Sequence, residues 1–429
     1  MPAPVSLQIK RAAGKPVGQV LDQVVLCLLT VLREQVTDPR ARRGRRYELA
    51  AVLALAVVAV TCDCGSFVAI HQFGCNLSDR QRSRLGLPYC RFTRRVKVPS
   101  EKRIRQLLGI TSPGELVAAV GRFTAHRLES AGMGKVPVHV AVEREQRRRE
   151  KRQAQRTQAR PAGRRALAAD GKTLRGSGTD RHARVHLVAI VEHENLHVLE
   201  RIAVDGKTTE VPELRAHLQN LDLSGSVLTL DALHTCAETA STILQAGGHY
   251  LLTVKANTPS LRGALIAKLA TGNEASWAGH SHTWTERGHG RIDRRTIRVA
   301  PVERGDGIEF PGAAQIAMTI RRTTPTNKDR KGSKEIAFTI TSLPAHETTP
   351  AQLGAYQQGH WGSESRHWIL DVVFGEDANQ TSTPRAVQNL STLRHTAYET
   401  IKAAGHANTA YARRDLRDRK DDALAMYGL

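Results

Sequence analysis

Residues 166–177, Ala-Leu-Ala-Ala-Asp-Gly-Lys-Thr-Leu-Arg-Gly-Ser, join a short apolar run to Asp170 and a following glycine. The same order returns in residues 226–232, Ser-Val-Leu-Thr-Leu-Asp-Ala, where Asp231 ends the apolar run. Short apolar runs that end in a polar residue are typical of buried strands. Ligands of open α/β sheets bind at the carboxyl ends of such strands. The two stretches therefore predict an α/β domain with Asp170 and Asp231 at neighbouring strand ends.

Strand and helix patterns alternate on both sides of these two stretches. Other apolar runs predict strands at 185–191, 197–204 and 250–254 and helices at 211–221 and 238–246. Residues 280–343 are strand-like throughout, with the clearest runs at 296–299, 315–320 and 335–340. After Thr349-Pro350, a helix-entry pair, the pattern is largely helical. We expect an α/β domain over 166–405, interrupted by a β-rich insertion at 280–343 and followed by a tail over 406–429.

The first 135 residues predict a helical domain. Leucines and valines recur at helical spacing from Leu21 to Leu32, and Ser100 is placed to cap a helix over 101–108. The longest apolar run, 49–60, is too short for the roughly 20 residues that cross a bilayer, so we expect a buried helix there. Residues 136–165 predict a basic linker, since ten of the 22 residues in 144–165 are Arg or Lys.

The composition points to a polyanionic partner. The 429 residues include 63 Lys and Arg against 41 Asp and Glu, a formal charge of +22. An excess of that size favours nucleic acid as the partner. Six cysteines in a chain of this length do not form a disulfide framework, and residues 1–19 lack the apolar core of a secretory signal. We expect a protein of a reducing, cytoplasmic compartment with no membrane contact.

Several motif-like stretches favour ordinary structure over chemistry. Residues 193–197, His-Glu-Asn-Leu-His, match a zinc pattern that requires a helix, but they lie between two strand patterns where a turn is expected. Gly171-Lys172-Thr173 and Gly206-Lys207-Thr208 lack the earlier glycine of a phosphate-binding loop. Cys62 and Cys64 have no second pair at zinc spacing, which favours free thiols.

Glu364 is the best candidate for a third carboxylate beside the two aspartates. At helical spacing Gln357, His360, Glu364 and His367 share one face. Phosphodiester hydrolysis needs stabilisation of an in-line transition state, which two Mg²⁺ ions about 3.5–4 Å apart can supply. Carboxylates are the hard oxygen ligands that Mg²⁺ prefers. On spacing alone, an aspartate at a strand end is more often a helix cap or a turn residue than a ligand, so three acids by themselves are only suggestive.

The chain resembles a known family through five stretches that occur in a fixed order. They are 169–177 (Ala-Asp-Gly-Lys-Thr-Leu-Arg-Gly-Ser), 228–235 (Leu-Thr-Leu-Asp-Ala-Leu-His-Thr), 254–257 (Val-Lys-Ala-Asn), 287–295 (Arg-Gly-His-Gly-Arg-Ile-Asp-Arg-Arg) and 360–377, which opens on His-Trp. Together they closely resemble the DDE transposases of bacterial insertion sequences, in the H-repeat-associated group. Residues 38–100 resemble the leading helical domain of that group, and the resemblance covers roughly residues 20 to 410.

The resemblance implies an RNase H-like catalytic core, two Mg²⁺ or Mn²⁺ ions, and DNA cleavage at the ends of a mobile element followed by strand transfer. By position Asp170 corresponds to the first catalytic Asp, Asp231 to the second and Glu364 to the glutamate. The implied partner is double-stranded DNA, as terminal inverted repeats and as target, bound by a homodimer on paired ends near the nucleoid. The residues that we assign to DNA contact are Lys172, Arg175, Lys255, Asn257, Arg291, His360, Arg42, Arg43, Arg45 and Arg46.

Three positions depart from the pattern of the family. Gln358 stands where an Arg usually precedes the His-Trp pair, and Ser363 and Ser365 replace Ile and Asn beside the glutamate. The alternative interpretation is therefore a catalytically inactive or domesticated relative that binds DNA. A structure-selective nuclease on the same core is a second alternative. An RNA-binding role accounts for the charge but leaves the three acids without a purpose.

Overall fold

The computed structural model describes residues 26–43, 45–131, 164–178, 183–194, 197–204, 210–271, 275–288, 290–327 and 329–429. The predicted linker lies almost wholly outside these ranges, as do the first residues of the helix expected from Leu21. Helices α1–α6 come first, with a small hairpin between α4 and α5. Their bounds are α1 (Leu28–Gln35), α2 (Leu49–Thr61), α3 (Phe67–Cys75), α4 (Asp79–Arg84), β1 (Tyr89–Cys90), β2 (Arg95–Val96), α5 (Glu101–Ile110) and α6 (Pro113–Ala131).

Strands and helices then alternate before the chain returns to helices. The elements are β3 (Arg165–Thr173), β4 (His186–Glu192), β5 (Val198–Val204), α7 (Glu210–Leu218), β6 (Ser226–Leu230), α8 (Ala237–Gln245), β7 (His249–Val254), α9 (Pro259–Leu269), β8 (Ser281–Gly288), β9 (Arg291–Pro301), β10 (Gln315–Pro325), β11 (Ser333–Thr341), α10 (Pro350–Val372), α11 (Pro384–Ala403), α12 (Thr409–Asp418) and α13 (Lys420–Ala425). The result is a mixed α/β fold. The strands and helices predicted between residues 166 and 350 are confirmed to within a few residues.

One nine-stranded sheet, in the order β5-β4-β3-β6-β7-β11-β10-β9-β8, organises the α/β part. Strand β6 runs parallel to both β3 and β7, and every other neighbouring pair is antiparallel. The strand-rich residues 281–341 were expected to interrupt this domain as an insertion. They extend its sheet instead, because β11 pairs with β7 and so covers an edge whose backbone groups would otherwise lack partners.

The helices before residue 131 share a hydrophobic core with the C-terminal helices. All 13 residues of α2 are buried, and this core also takes in Leu390 and Tyr398 of α11. Residues 406–429 were expected as a C-terminal tail. They form α12 and α13, whose Leu416 and Leu424 are buried in the same core, while the backbone N–H of Leu28 donates to the carbonyl of Tyr427 at 3.0 Å. Amphipathic helices of this kind are stabilised by burying their apolar face.

Two further expectations concern short stretches. The turn predicted between the strands at 193–197 is confirmed at His193 and Glu194, which follow the end of β4 at Glu192, while residues 195 and 196 lie outside the described ranges. Within the described ranges, no helix combines the length and the apolar character that a membrane span needs.

Candidate active site

Asp170 and Asp231 lie side by side at the centre of the sheet. The parallel register of β3 and β6 pairs Ala169 with Leu230, so the next residue of each strand is one of the two aspartates. The Asp231 carboxylate also caps the turn that follows β6, accepting a hydrogen bond from the backbone N–H of Leu233 at 3.0 Å. The sheet thus brings together two carboxylates that lie 61 residues apart in the sequence.

Helix α10 brings Glu364 to the same edge of the sheet. A capping box at Thr349 fixes the start of this 23-residue helix, which packs against β3 and β6. Asp170 Oδ2 lies 3.1 Å from Ser363 Oγ and 3.5 Å from His367 Nδ1. The single proton of the Ser363 hydroxyl is shared between Asp170 Oδ2 and the carbonyl of His360, which is 2.7 Å away. Glu364, the next residue of the helix, lines a cavity together with Asp231.

The charges of the three carboxylates all act on one imidazole, that of His360. Burial lowers the pKa of His360, and the negative charges of Asp170, Asp231 and Glu364 each oppose this lowering. A single side chain of α10 is therefore under the electrostatic influence of all three predicted acids.

Thr229 joins the sheet to His360 and to a second histidine. Its hydroxyl donates to the carbonyl of Leu167 at 3.0 Å and lies 3.1 Å from His360 Nδ1 and 2.9 Å from His193 Nε2. A hydroxyl has a single proton, so both ring nitrogens must donate to its lone pairs. Gly359 allows His193 to lie close to α10, since a Cβ at position 359 would be 2.1 Å from His193 Nδ1.

Sequence reasoning missed Thr229 and His193. One available signal was that Thr229 lies two residues before Asp231 on the same strand, and therefore on the same face of the sheet. No comparable signal places His193 at this site, because it follows the end of β4 and lies here only through the packing of α10 against the sheet.

A cavity of about 340 Å³ opens beside the acids. Its walls include Asp231, Lys255, His360 and Glu364. The Glu364 carboxylate is exposed and makes no hydrogen bond or ion pair with any residue that the structure describes. No three His, Cys, Asp or Glu side chains in the described ranges are grouped closely enough to hold a metal ion. The donors are thus of the type that a divalent cation prefers, but they do not form a closed coordination shell.

Two of the residues assigned to DNA contact lie at this cavity. Lys255 is exposed on its wall, just after β7. Asn257 Nδ2 donates to the carbonyl of Ala232 at 2.6 Å, and so ties the loop after β7 to the turn that Asp231 caps. Asn257 therefore supports the position of Asp231 from the neighbouring strand.

Other assigned residues lie elsewhere. Lys172 is mostly buried, with an ion pair to Asp371 and another to Glu376 at 2.8 Å. Arg175 is exposed beside Asp377, with Nε 3.6 Å from a carboxylate oxygen. Arg291 starts β9 at the far edge of the sheet and pairs with Asp293 at 3.3 Å.

Four of the assigned arginines lie close together at residues 42–46. Three of them are exposed, and their side chains make no hydrogen bond or ion pair with the residues that the structure describes, namely Arg42, Arg43 and Arg46. Arg45 pairs with Asp38, with Nε 3.6 Å from a carboxylate oxygen. This cluster precedes α2 on the surface of the helical part.

The positions that depart from the family pattern are all engaged by neighbours. Gln358 Nε2 donates to Glu286 Oε1 at 2.6 Å, so it joins α10 to β8. Ser365 Oγ donates to the carbonyl of Trp361 at 3.4 Å, one helical turn back. Ser363, described above, is the one of the three that contacts a carboxylate of the site.

The family of the chain follows from sequence comparison. Residues 161–399 match the transposase DDE domain family, and residues 32–124 match the associated family described as DDE_Tnp_1-associated. The chain belongs to the DDE transposases, as its ordered motifs led us to expect.

Two transposase-named Escherichia coli proteins illustrate the relationship. YncI of strain O157:H7 is 29% identical over 245 residues, which cover 55% of this chain and 61% of that protein. The H repeat-associated YhhI of strain K12 is 27% identical over 238 residues, or 54% of this chain and 62% of that protein. The chain thus spans about three fifths of the length of these relatives. The piggyBac transposase synaptic complex with hairpin DNA has 11% identity and a TM-score of 0.33 over 91% of this chain and 83% of that one, too low to assign a shared fold.

Proposed function

We propose that the protein is an active DNA transposase, which cuts double-stranded DNA at the ends of a mobile element and joins the ends to a target. Asp170, Asp231 and Glu364 are its catalytic residues. The observation that carries this proposal is the register of two adjacent parallel strands, which puts Asp170 and Asp231 at neighbouring strand ends, beside a cavity whose walls include Asp231 and Glu364. Five strands in the order β5-β4-β3-β6-β7, a meander followed by two parallel strands, support an RNase H-like core.

The donor set suits two Mg²⁺ or Mn²⁺ ions. Three carboxylates supply hard oxygen ligands, and Glu364 has no competing partner in the described chain. When bound, such ions activate the attacking oxygen and stabilise the leaving oxygen of an in-line displacement. Asp170, Asp231 and Glu364 would hold them.

The other residues of the site orient these ligands and the DNA. Ser363 and His367 hold the Asp170 carboxylate from α10. Asn257 fixes the turn that Asp231 caps. The Lys255 ammonium group, on the cavity wall, is placed to contact a phosphate next to the scissile bond.

DNA is the substrate that this charge distribution favours. The net charge of +22 and the exposed arginines at 42, 43 and 46 supply a sequence-independent attraction to phosphate. In this proposal residues 166–405 carry out catalysis, while the helical residues before 135 and the linker at 136–165 add DNA affinity. A homodimer on paired terminal repeats would bring two ends together for strand transfer.

The test is cleavage of labelled DNA that carries the natural flanks of the gene, with Mg²⁺ or Mn²⁺, by the wild-type protein and by Asp231→Asn. Asparagine keeps the cap on the Leu233 N–H but removes the negative charge. Asp222→Asn is a matched control, because exposed Asp222 makes the same turn contact, to Ser224 N at 2.9 Å, before the opposite end of β6. We expect cuts at the flank ends with the wild type and the control, and none with Asp231→Asn.

Other outcomes select the alternatives. Binding without cleavage by the wild type would identify an inactive or domesticated relative. Equal cutting of flanking and unrelated or branched DNA, without strand transfer, would identify a nuclease. Cleavage that persists in Asp231→Asn would remove Asp231 from the site.

A further inference from the structure

A second cavity, of about 470 Å³, lies outside the candidate active site. It is formed where the loop 374–383, between α10 and α11, meets α3 and α5. Its polar lining includes Ser66, Arg105, Thr381, Ser382, Thr383 and Arg394. Two arginines and no carboxylate line it, so the cavity carries a net positive charge.

Two helices begin at this cavity. Ser66 is the N-cap of α3, which has nine residues, and its hydroxyl accepts from the backbone N–H of Ala69 at 3.2 Å. Thr383 is the N-cap of α11, which has 20 residues, and its side chain makes no capping hydrogen bond. The first backbone N–H groups of a helix lack partners within the helix, and the helix dipole adds positive potential. Convergence of two such ends favours an anion.

Arg394 gives an independent indication of an anionic ligand. It lines the cavity although it is only 2% exposed, and its buried Nε has no hydrogen-bond partner in the structure. One Nη donates to the carbonyl of Gly65 at 3.2 Å, but no carboxylate of the described residues lies within 4 Å of the guanidinium. The charge of the buried Glu376 carboxylate acts on this guanidinium from beyond that distance. Burial of the guanidinium is nevertheless costly, and an anion in the cavity would offset that cost.

The same loop links the cavity to the strand that carries Asp170. Asp377 Oδ1 in this loop accepts a hydrogen bond from the backbone N–H of Arg175, shortly after β3. The side chain of Arg175 is 80% exposed there. The exposed Arg175 side chain thus lies on a loop that Asp377 ties to the loop of the cavity.

We propose that this cavity, formed by the N-termini of α3 and α11 together with Arg394, binds a phosphodiester phosphate of the DNA backbone. The assignment rests on the proposed DNA function. The cavity contacts the backbone without reading sequence, and it holds DNA at a place separate from the three carboxylates.

Ser66→Asp tests the site without deleting the helix cap. Aspartate is as good an N-cap as serine, but it places a negative charge in the cavity. Ser78→Asp is a matched control, because exposed Ser78 caps α4 through the same contact and does not line the cavity. Thr383→Asp places the charge at the other helix and replaces Ser66→Asp if that variant does not fold.

Affinity for a random 30-base-pair duplex is measured against salt concentration. Each phosphate contact contributes about 0.9 to the slope of log K against log salt. We therefore expect Ser66→Asp and Thr383→Asp to lower the slope by about 0.9 and the affinity about eightfold near 0.1 M salt, relative to Ser78→Asp. Equal slopes in all variants would overturn the proposal, as would an equal fall in Ser66→Asp and Ser78→Asp.

Inorganic phosphate separates the two sources of such an anion. The melting temperature is measured in phosphate and in chloride of equal ionic strength. Suppose that phosphate raises it, that Ser66→Asp abolishes this rise, and that the slope for DNA is the same in all variants. The cavity would then be assigned to free phosphate, and the DNA assignment would be overturned. Binding does not depend on catalysis, so a loss of cleavage in Asp231→Asn with normal binding leaves this test intact. A failure of the proposed transposase activity is thereby distinguishable from a failure of the phosphate site.

Discussion

Asp170 and Lys172 project from the same face of the same strand, yet their surroundings are opposite. Lys172 is enclosed by Asp371 and Glu376, in an ionic cluster that continues to the buried pair Arg366 and Glu399 at 2.8 Å. We call this set the buried ionic cluster. Asp170 instead faces α10 beside an open cavity, together with carboxylates that repel one another.

This comparison distinguishes charged groups that stabilise the fold from charged groups that are available to a substrate. Burial opposes ionisation of Glu376, but the cations around it, Lys172 above all, lower its pKa below the usual value. Exposed Glu364 has no such partner in the described chain. A carboxylate that is held near others without a cation is poised to bind one. The predictions below test whether these two regions differ in this way.

The largest effect is expected at the cavity. Glu364→Gln removes the negative charge of a proposed ligand from an exposed position, so cleavage should fall on the order of 10³-fold, as when groups that act as a unit in catalysis are removed. The free energy of unfolding should change by less than about 0.5 kcal/mol. Single-turnover cleavage and urea denaturation measure the two quantities.

Glu335→Gln is the control for this prediction. Glu335 lines the same cavity but pairs with Arg321 at 3.1 Å on the opposite wall. We expect cleavage within a few-fold of the wild type. Equal losses in both variants would mean that the cavity responds to its total charge and that Glu364 has no special role.

In the buried ionic cluster, by contrast, a substitution is expected to lower the unfolding free energy. Arg366→Met leaves Glu399 buried without its closest cation, which should cost about 3–5 kcal/mol of unfolding free energy. Arg414→Met, on an exposed face of α12, should change it by less than about 0.5 kcal/mol. Chemical denaturation gives both values. Similar stabilities for the two variants would show that the cluster is not structural.

Local sequence patterns mark the three acids but not the buried ionic cluster. Asp170 and Asp231 follow short apolar runs and Glu364 lies on a helical stripe, so their catalytic role is a prediction from strand order and helix spacing. The buried ionic cluster joins four segments, namely β3, α10, the loop that follows α10, and α11. No local sequence period links these segments. Lys172 was accordingly assigned to DNA contact on sequence grounds, whereas the structure encloses it among carboxylates.

The extent of the sheet was also beyond local patterns. Residues 281–341 show their strands clearly, but the pairing of β11 with β7 depends on contacts between distant segments. The helices after residue 405 show the same limit, because their burial depends on partners more than 280 residues earlier, such as Val60, whose carbonyl accepts from Arg413. Periodicity identifies elements, whereas tertiary packing decides their neighbours.

Low pH should reveal how much another buried carboxylate, that of Glu210, contributes to the stability of the fold. Burial opposes ionisation of Glu210, but hydrogen bonds from His186 at 2.6 Å and His234 at 2.9 Å outweigh it and lower the pKa of the carboxyl to about 2. A pKa lowered in the folded state contributes stability above the usual value of 4.5, and that stability is lost as the pH falls towards 2.

The difference in unfolding free energy between the wild type and Glu210→Gln should therefore become smaller as the pH falls from about 5 to 2, since only the wild type loses this contribution. Urea denaturation at several pH values measures the gap. Glu213→Gln, exposed on the same helix, should show a gap near zero at every pH. A gap for Glu210→Gln that is constant with pH would rule out the ionised carboxylate as its source.

The smallest effect concerns the two serines that flank Glu364. Ser363→Ala removes a hydroxyl whose proton is shared between Asp170 Oδ2 at 3.1 Å and the carbonyl of His360 at 2.7 Å. Asp170 then loses at most one hydrogen bond of about 0.5–1.5 kcal/mol, so cleavage should fall about 2- to 10-fold. Ser365→Ala removes only an exposed bond to the Trp361 carbonyl and should leave cleavage unchanged. Single-turnover rates at saturating metal distinguish the two. Equal rates would mean that Asp170 is positioned without Ser363, and that Ser363 departs from the family pattern without altering the proposed catalytic site.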